Sequence, residues 1–96
     1  MTNSDLRERI IDILGEDEAD EVILLEGDEF ADGAIGLTDD GNVVYSYNML
    51  VRSLTEKWGE TTEQAAQEWI MCNTLPSLAY MKRYGLAPII LMDEFG

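Results

Sequence analysis

Histidine is absent from the chain, which removes the side chain that most often serves as a general base near neutral pH. The single cysteine, Cys72, excludes an internal disulfide and fits a reducing cytoplasm. Basic residues are scarce. Six Lys and Arg face twenty Asp and Glu, for a net charge of −14, and none stands between Arg9 and Arg52. Phosphates are held by Lys and Arg that displace counterions, so direct nucleic-acid binding is not expected. Anionic membranes are disfavoured for the same reason. No apolar run approaches the roughly 18 residues of a membrane span. The start of the chain has no apolar h-region, so no secretory signal is expected. No internal repeat and no Pro/Gly/Ser linker breaks the chain, and residues 1–96 are read as one domain.

What is present is a folding sequence with an acidic centre. Hydrophobic residues make up 46% of the chain, enough for one modest core. The low mean hydropathy therefore comes from the acids, and global disorder is not expected. Twelve Asp and Glu fall between Asp12 and Asp40, interleaved with the apolar runs at 22–25 and 34–37.

Leu6, Ile10, Ile13 and Leu14 recur at helical spacing, with Ser4 as the expected cap and Gly15 as the stop. Residues 16–21 are too acidic to continue a helix and read as a loop. Residues 22–25 read as a short strand. Ile35 and Leu37, then Val43 and Tyr45, alternate around Asp39-Asp40-Gly41, a hairpin signature. A three-residue loop with Gly41 left-handed pairs Leu37 with Val43 and Ile35 with Tyr45. That register puts four large apolar side chains on one face, so it is preferred over a two-residue turn.

Asn48 is the expected cap of a helix carrying Leu50, Val51, Leu54 and Trp58, ending at Gly59. Thr61 with Gln64 forms a capping box for the next helix, whose inner stripe is Ala65, Ala66, Trp69, Ile70, Cys72 and Asn73. Thr74 caps a further segment, with Pro76 near its start and Gly85 at its end. Residues 89–92 read as a final strand, Pro88 standing where no ladder donor is lost. The fold class is α+β: a small, mainly antiparallel sheet of the hairpin and the C-terminal strand, packed against three to four helices. Residues 22–25 are a candidate fourth strand.

Candidate chemistry is thin. Counting from Asp28, an EF-hand loop would place Asp32 fifth, Gly33 sixth, Ile35 eighth and Asp39 twelfth. The third position, Phe30, offers no side-chain oxygen and the flanks do not read as helices, so no metal site is expected. Cys72 has no basic neighbour in sequence and is read as a small core residue. The glycines do not match a phosphate-cradling spacing. Asn73 is expected to satisfy carbonyls at a helix break. Tyr45 and Tyr80 are read as half-buried, with Trp58 and Trp69 as core anchors. No catalytic residue and no cofactor is assigned, and an enzyme is not expected.

The pattern Tyr45-x-Tyr47-x-x-x-Val51-x-x-Leu54, then Glu68-Trp69-Ile70-x-x-Asn73-Thr74-Leu75, Leu78-x-Tyr80-Met81 and Ala87-Pro88-Ile89-Ile90, resembles a group of small, largely uncharacterised proteins of phages and bacterial mobile elements. Ile35-Gly36-x-Thr38-x-Asp40-Gly41 fits the same pattern, and Ala79 stands where that group usually has Pro. The resemblance covers residues 22–92. It implies an inhibitor of a host factor, of the anti-CRISPR or DNA-mimic kind.

The expected activity is therefore binding. Asp28, Glu29, Asp32, Asp39, Asp40, Glu16, Asp17, Glu18, Asp20 and Glu21 are the candidate contacts to a basic surface of a partner protein. Asp28, Glu29 and Asp32 carry most of that expectation, because residues 39–41 also serve a turn and residues 16–21 read as a mobile fringe. The alternative is a structural or accessory phage or bacterial domain whose acidity serves solubility and whose useful surface lies elsewhere, adding a strand at a sheet edge, with residues 89–92 as candidate, or self-associating.

Overall fold

The structure, a computed structural model, describes residues 1–59 and 62–93. Asn3–Leu14 forms helix α1. Its cap is Thr2, not Ser4: the Thr2 hydroxyl accepts from the Asp5 N–H at 3.2 Å and the Asp5 carboxylate accepts from the Thr2 N–H at 3.1 Å. The reciprocal bond decides the position, because Arg7, three residues after Ser4, has no acceptor to return. These bonds hold the Asp5 carboxyl below the usual range. Gly15, at φ +88°, closes the helix as expected, its N–H on the Ile11 carbonyl.

Residues 16–21 are not a loop throughout. Glu16–Ala19 forms a single helical turn, α2. Adjacent acids repel, but the first turn exposes unpaired N–H groups and the positive end of the dipole, where carboxylates are favoured. Ala19 is buried beneath this turn, and Arg7 fastens it to α1 by donating to the carbonyls of Ala19 at 2.7 Å and Val22 at 2.8 Å.

Residues 22–25 do not form the expected strand. Val22 makes one isolated parallel bridge to Leu86, with Ile23 N–H on the Leu86 carbonyl and Leu86 N–H on the Glu21 carbonyl. Val22 and Leu25 are buried, and the Leu25 N–H goes to the Tyr45 hydroxyl at 3.2 Å instead of a ladder partner. Burial pushes the Tyr45 phenol up. A short helix, α3 (Asp28–Ala31), follows, with no periodicity in sequence to announce it.

The hairpin is β1 (Ala34–Leu37) and β2 (Val43–Ser46). Leu37 pairs with Val43, and Thr38 N–H donates to the Asn42 carbonyl, leaving Asp39-Asp40-Gly41 as the loop with Gly41 at φ +95°. The expected pairing of Ile35 with Tyr45 fails. A bulge between Ala34 and Gly36 brings Ala34 opposite Tyr45 and leaves Ile35 49% exposed. Gly33 is the local cause: its carbonyl accepts from Ser46 N–H, and a Cβ there would lie 2.4 Å from Leu50 Cδ2. The chain must dip against the next helix before the strand can run.

That helix, α4 (Tyr47–Lys57), is capped by Ser46, whose hydroxyl accepts from Met49 N–H at 3.2 Å. Asn48 is not the cap. Its N–H and side chain bind Asp93, which also accepts from the Ser46 hydroxyl. Thr61, the expected cap of the next helix, lies outside the described residues; Thr62 caps α5 (Glu63–Trp69) through Ala65 N–H.

The chain stays helical through the expected break. A π-helical stretch, Ile70–Thr74, joins α5 to α6 (Leu75–Met81). Pro76 has no N–H to give to the Cys72 carbonyl, and a widened turn accommodates that loss. Thr74 is therefore buried and makes no cap bond, while Asn73 does satisfy a carbonyl, that of Trp69 at 3.0 Å. The widened turn points Ile70 and Thr74 inward and leaves Cys72 exposed, against the expectation of a core cysteine.

Strand β3 (Ile89–Leu91) completes a sheet of order β1-β2-β3. It runs parallel to β2, so the sheet is mixed. The helical connection between β2 and β3 is long enough to return the chain to the starting end, as a parallel pair requires. The class is α+β, with Tyr45, Leu50, Leu54, Ile10 and Ile70 at the centre of one core. Trp58 is half-buried and Trp69 is 38% exposed, their rings edge-on at 5.3 Å. Tyr80, expected half-buried, is 60% exposed and pairs with Tyr84 on the surface.

Candidate acidic interaction surface

The ten candidate carboxylates do not form one face. Asp28 and Asp32 are tied to the N-terminal end of α1, Glu16 to Glu18 follow its C-terminal end about 18 Å away at 1.5 Å per helical residue, and Asp20 and Glu21 lie between the Ala19 and Val22 carbonyls that Arg7 holds.

At the N-terminal end Asp28 and Asp32 are spent on the fold. Asp28 accepts from the Asn3 N–H at 2.8 Å, one of the donors that the first turn of α1 leaves unpaired. Asp32 receives the Met1 ammonium at 2.8 Å and the Lys57 ammonium at 2.9 Å. Those two donors lower its pKa to about 2. The backbone of Glu29 is held as well, its carbonyl accepting from the buried Ser53 hydroxyl. Asp28, Glu29 and Asp32 thus pin α3 between α1 and α4.

At the other end the acids are exposed. Glu16, Asp17 and Glu18 stand on α2, with Asp20 and Glu21 following. The loop that carries Asp39 and Asp40 reaches the corner at the C-terminal end of α1, because a Cβ on Gly41 would lie 3.1 Å from Leu86 Cδ1 and 3.4 Å from Leu14 Cδ1. Among the described residues, both ion pairs go to Asp32, and the carboxylates that accept hydrogen bonds are Asp5, Asp28, Asp32 and Asp93. The corner acids take part in neither. Arg7 is turned inward onto carbonyls, and Lys57 is on Asp32. The corner can attract cations at long range and pair with them at contact.

Among the described residues no three His, Cys, Asp or Glu side chains converge as a metal site, and the would-be EF-hand segment is α3 followed by β1. Among the described residues, no helix is long and apolar enough to cross a membrane. Several organising residues escaped sequence reading. Thr2-x-x-Asp5 carries a readable capping signal. Asn3, Arg7 and Asp93 act across long sequence separations and carry none. No family model, curated protein or solved structure matches this chain.

Proposed function

We propose that this protein is a non-enzymatic binding protein that offers its acidic corner to a basic surface of a partner protein. One observation carries the reading: Glu16, Asp17, Glu18, Asp20, Glu21, Asp39 and Asp40 are exposed and, among the described residues, enter no ion pair, while Asp28 and Asp32 are consumed by the fold. Lys and Arg clusters that hold phosphates are the natural complement. A duplex presents one charge per roughly 1.7 Å of its axis, and carboxylates set in a helical turn and a tight hairpin loop are better ordered competitors than a tail. The resemblance to phage and mobile-element proteins extends the proposal to an inhibitor that occupies a nucleic-acid site on a host protein.

The test is recovery of partners from a bacterial lysate at low and at moderate salt. A nucleic-acid-binding protein, released by salt or by added duplex DNA, is the expected result. Recovery of a capsid protein, or of this chain alone, would overturn it. That outcome would favour a second reading, an accessory domain that pairs through its sheet, for which β3 offers an edge with Ile89 and Leu91 exposed.

A further inference from the structure

An apolar groove of about 190 Å³ runs along α1 beside β1, lined by Met1, by Leu6 to Ile13 on the helix and by Ala34 to Leu37 on the strand. Two branched side chains on its lining are turned to solvent, Ile13 at 68% exposure and Ile35 at 49%. Neither exposure follows from the periodicity that fills the core. Ile13 lies on the helical stripe of Leu6 and Ile10 yet misses the sheet, and Ile35 is expelled from the ladder by the bulge. The volume suits one or two large side chains and falls short of the roughly 300 Å³ at which small-molecule pockets begin.

The two ends of this groove differ in charge. Beyond Ile13 and Leu37 stand Glu16, three residues on, and Asp39 and Asp40, two and three residues on. Beyond Ala34 stands Asp32, already holding two ammonium groups. Arg9 lines the wall between the ends and repels a cation placed midway. An occupant therefore needs apolar anchors along the groove and its positive charge at one end only.

We propose that the α1–β1 groove receives a short segment of a basic protein, with a branched or aromatic side chain between Ile13 and Ile35 and Lys or Arg reaching Glu16, Asp39 and Asp40. The proposal rests on the reading of the acidic corner given above and adds what that corner alone lacks, a source of sequence selectivity. Charge brings the partner in and fixes its direction; the apolar anchor selects it.

Selection of random twelve-residue peptides displayed on phage against the immobilised protein tests this directly. The expected winners carry a Lys/Arg cluster at one end beside an apolar anchor. They should bind an Ile13→Ser/Ile35→Ser double variant at least tenfold more weakly in fluorescence anisotropy. Both side chains are exposed, so the variant should melt at nearly the parent temperature. Asp39→Asn/Asp40→Asn should weaken the same peptides and flatten their salt dependence. Winners that are basic but bind the Ile variant as tightly as the parent overturn the groove and leave the acidic-corner reading standing. Winners without Lys or Arg overturn the groove proposal and count against the corner as well. A selection with no enrichment also overturns the groove, while the lysate experiment still decides the corner.

Discussion

The two ends of α1 carry the same kind of residue and put it to opposite use. At the N-terminal end, Asp28 and Asp32 sit among unpaired N–H groups and ammonium groups and become part of the frame. At the C-terminal end, the carboxylates of α2 and of the hairpin loop sit on exposed turns and keep their charge available. Acidity in the sequence is therefore a poor index of acidity offered to a partner. What decides is whether the fold brings a donor to each carboxylate.

That contrast can be broken most forcefully by reversing charge at one end at a time. Glu16→Lys, Asp17→Lys, Asp39→Lys and Asp40→Lys together should weaken binding to a basic partner about 100-fold at low salt, which corresponds to about 2.7 kcal/mol. They should also lower the thermal midpoint modestly, because Lys at Glu16 and Asp17 opposes the N–H end of α2 at about 0.3–1 kcal/mol each. Calorimetry of binding at two salt concentrations checks it, and equal losses from reversing Asp28 and Asp32 would erase the distinction between the ends.

Next in size is a change buried behind the tethered end. Gly33→Ala places a Cβ 2.4 Å from Leu50 Cδ2, and Leu50 is fully buried. Such overpacking costs about 1–3 kcal/mol, read as a lower urea midpoint with binding retained. Arg7→Ala sharpens the comparison from the free side. It strips a charged donor from the carbonyls of Ala19 and Val22, at about 1–2 kcal/mol, and loosens α2. Hydrogen exchange should then rise in α2 while α3 stays protected.

The smallest effect is the pH dependence of Asp32. Its folded pKa is near 2, below the unfolded value near 4. The stability it contributes is present above pH 4 and is lost as the pH falls from about 4 to about 2. Urea midpoints of the parent and Asp32→Asn should differ at pH 6 and converge near pH 2, with salt shrinking the gap. A constant gap across that range would mean that Asp32 holds α3 by something other than charge.

Much of the fold was legible. The helix around Leu6 and Ile10, the stop at Gly15, the Asp39-Asp40-Gly41 loop, the Leu37–Val43 pair and the Leu50–Leu54 helix all follow from spacing and turn chemistry. Three of the misses share a cause. The turn at Glu16–Ala19, the fate of residues 22–25 and the exposure of Ile35 each depend on a group far away in sequence: Arg7, Tyr45 and Leu50 respectively. The π stretch before Pro76 was a choice between breaking the helix and widening it, and burial of Ile70 and Thr74 accompanies the second. Of the candidate site, the list of acids was legible but not its division. The loop of Asp39 and Asp40 reaches the C-terminal end of α1 through Gly41 packing on Leu14 and Leu86.

By itself the sequence determined an acidic α+β domain without histidine, with a hairpin whose loop register is dictated by Gly41. Those properties are local or compositional, set by charge count, apolar period and the backbone freedom of one glycine. Tertiary structure alone decided which carboxylates are neutralised, that β3 runs parallel to β2, and that Ile13 and Ile35 flank an open groove. Those depend on where distant donors and neighbouring surfaces come to rest, and no window of sequence contains both partners of such a contact.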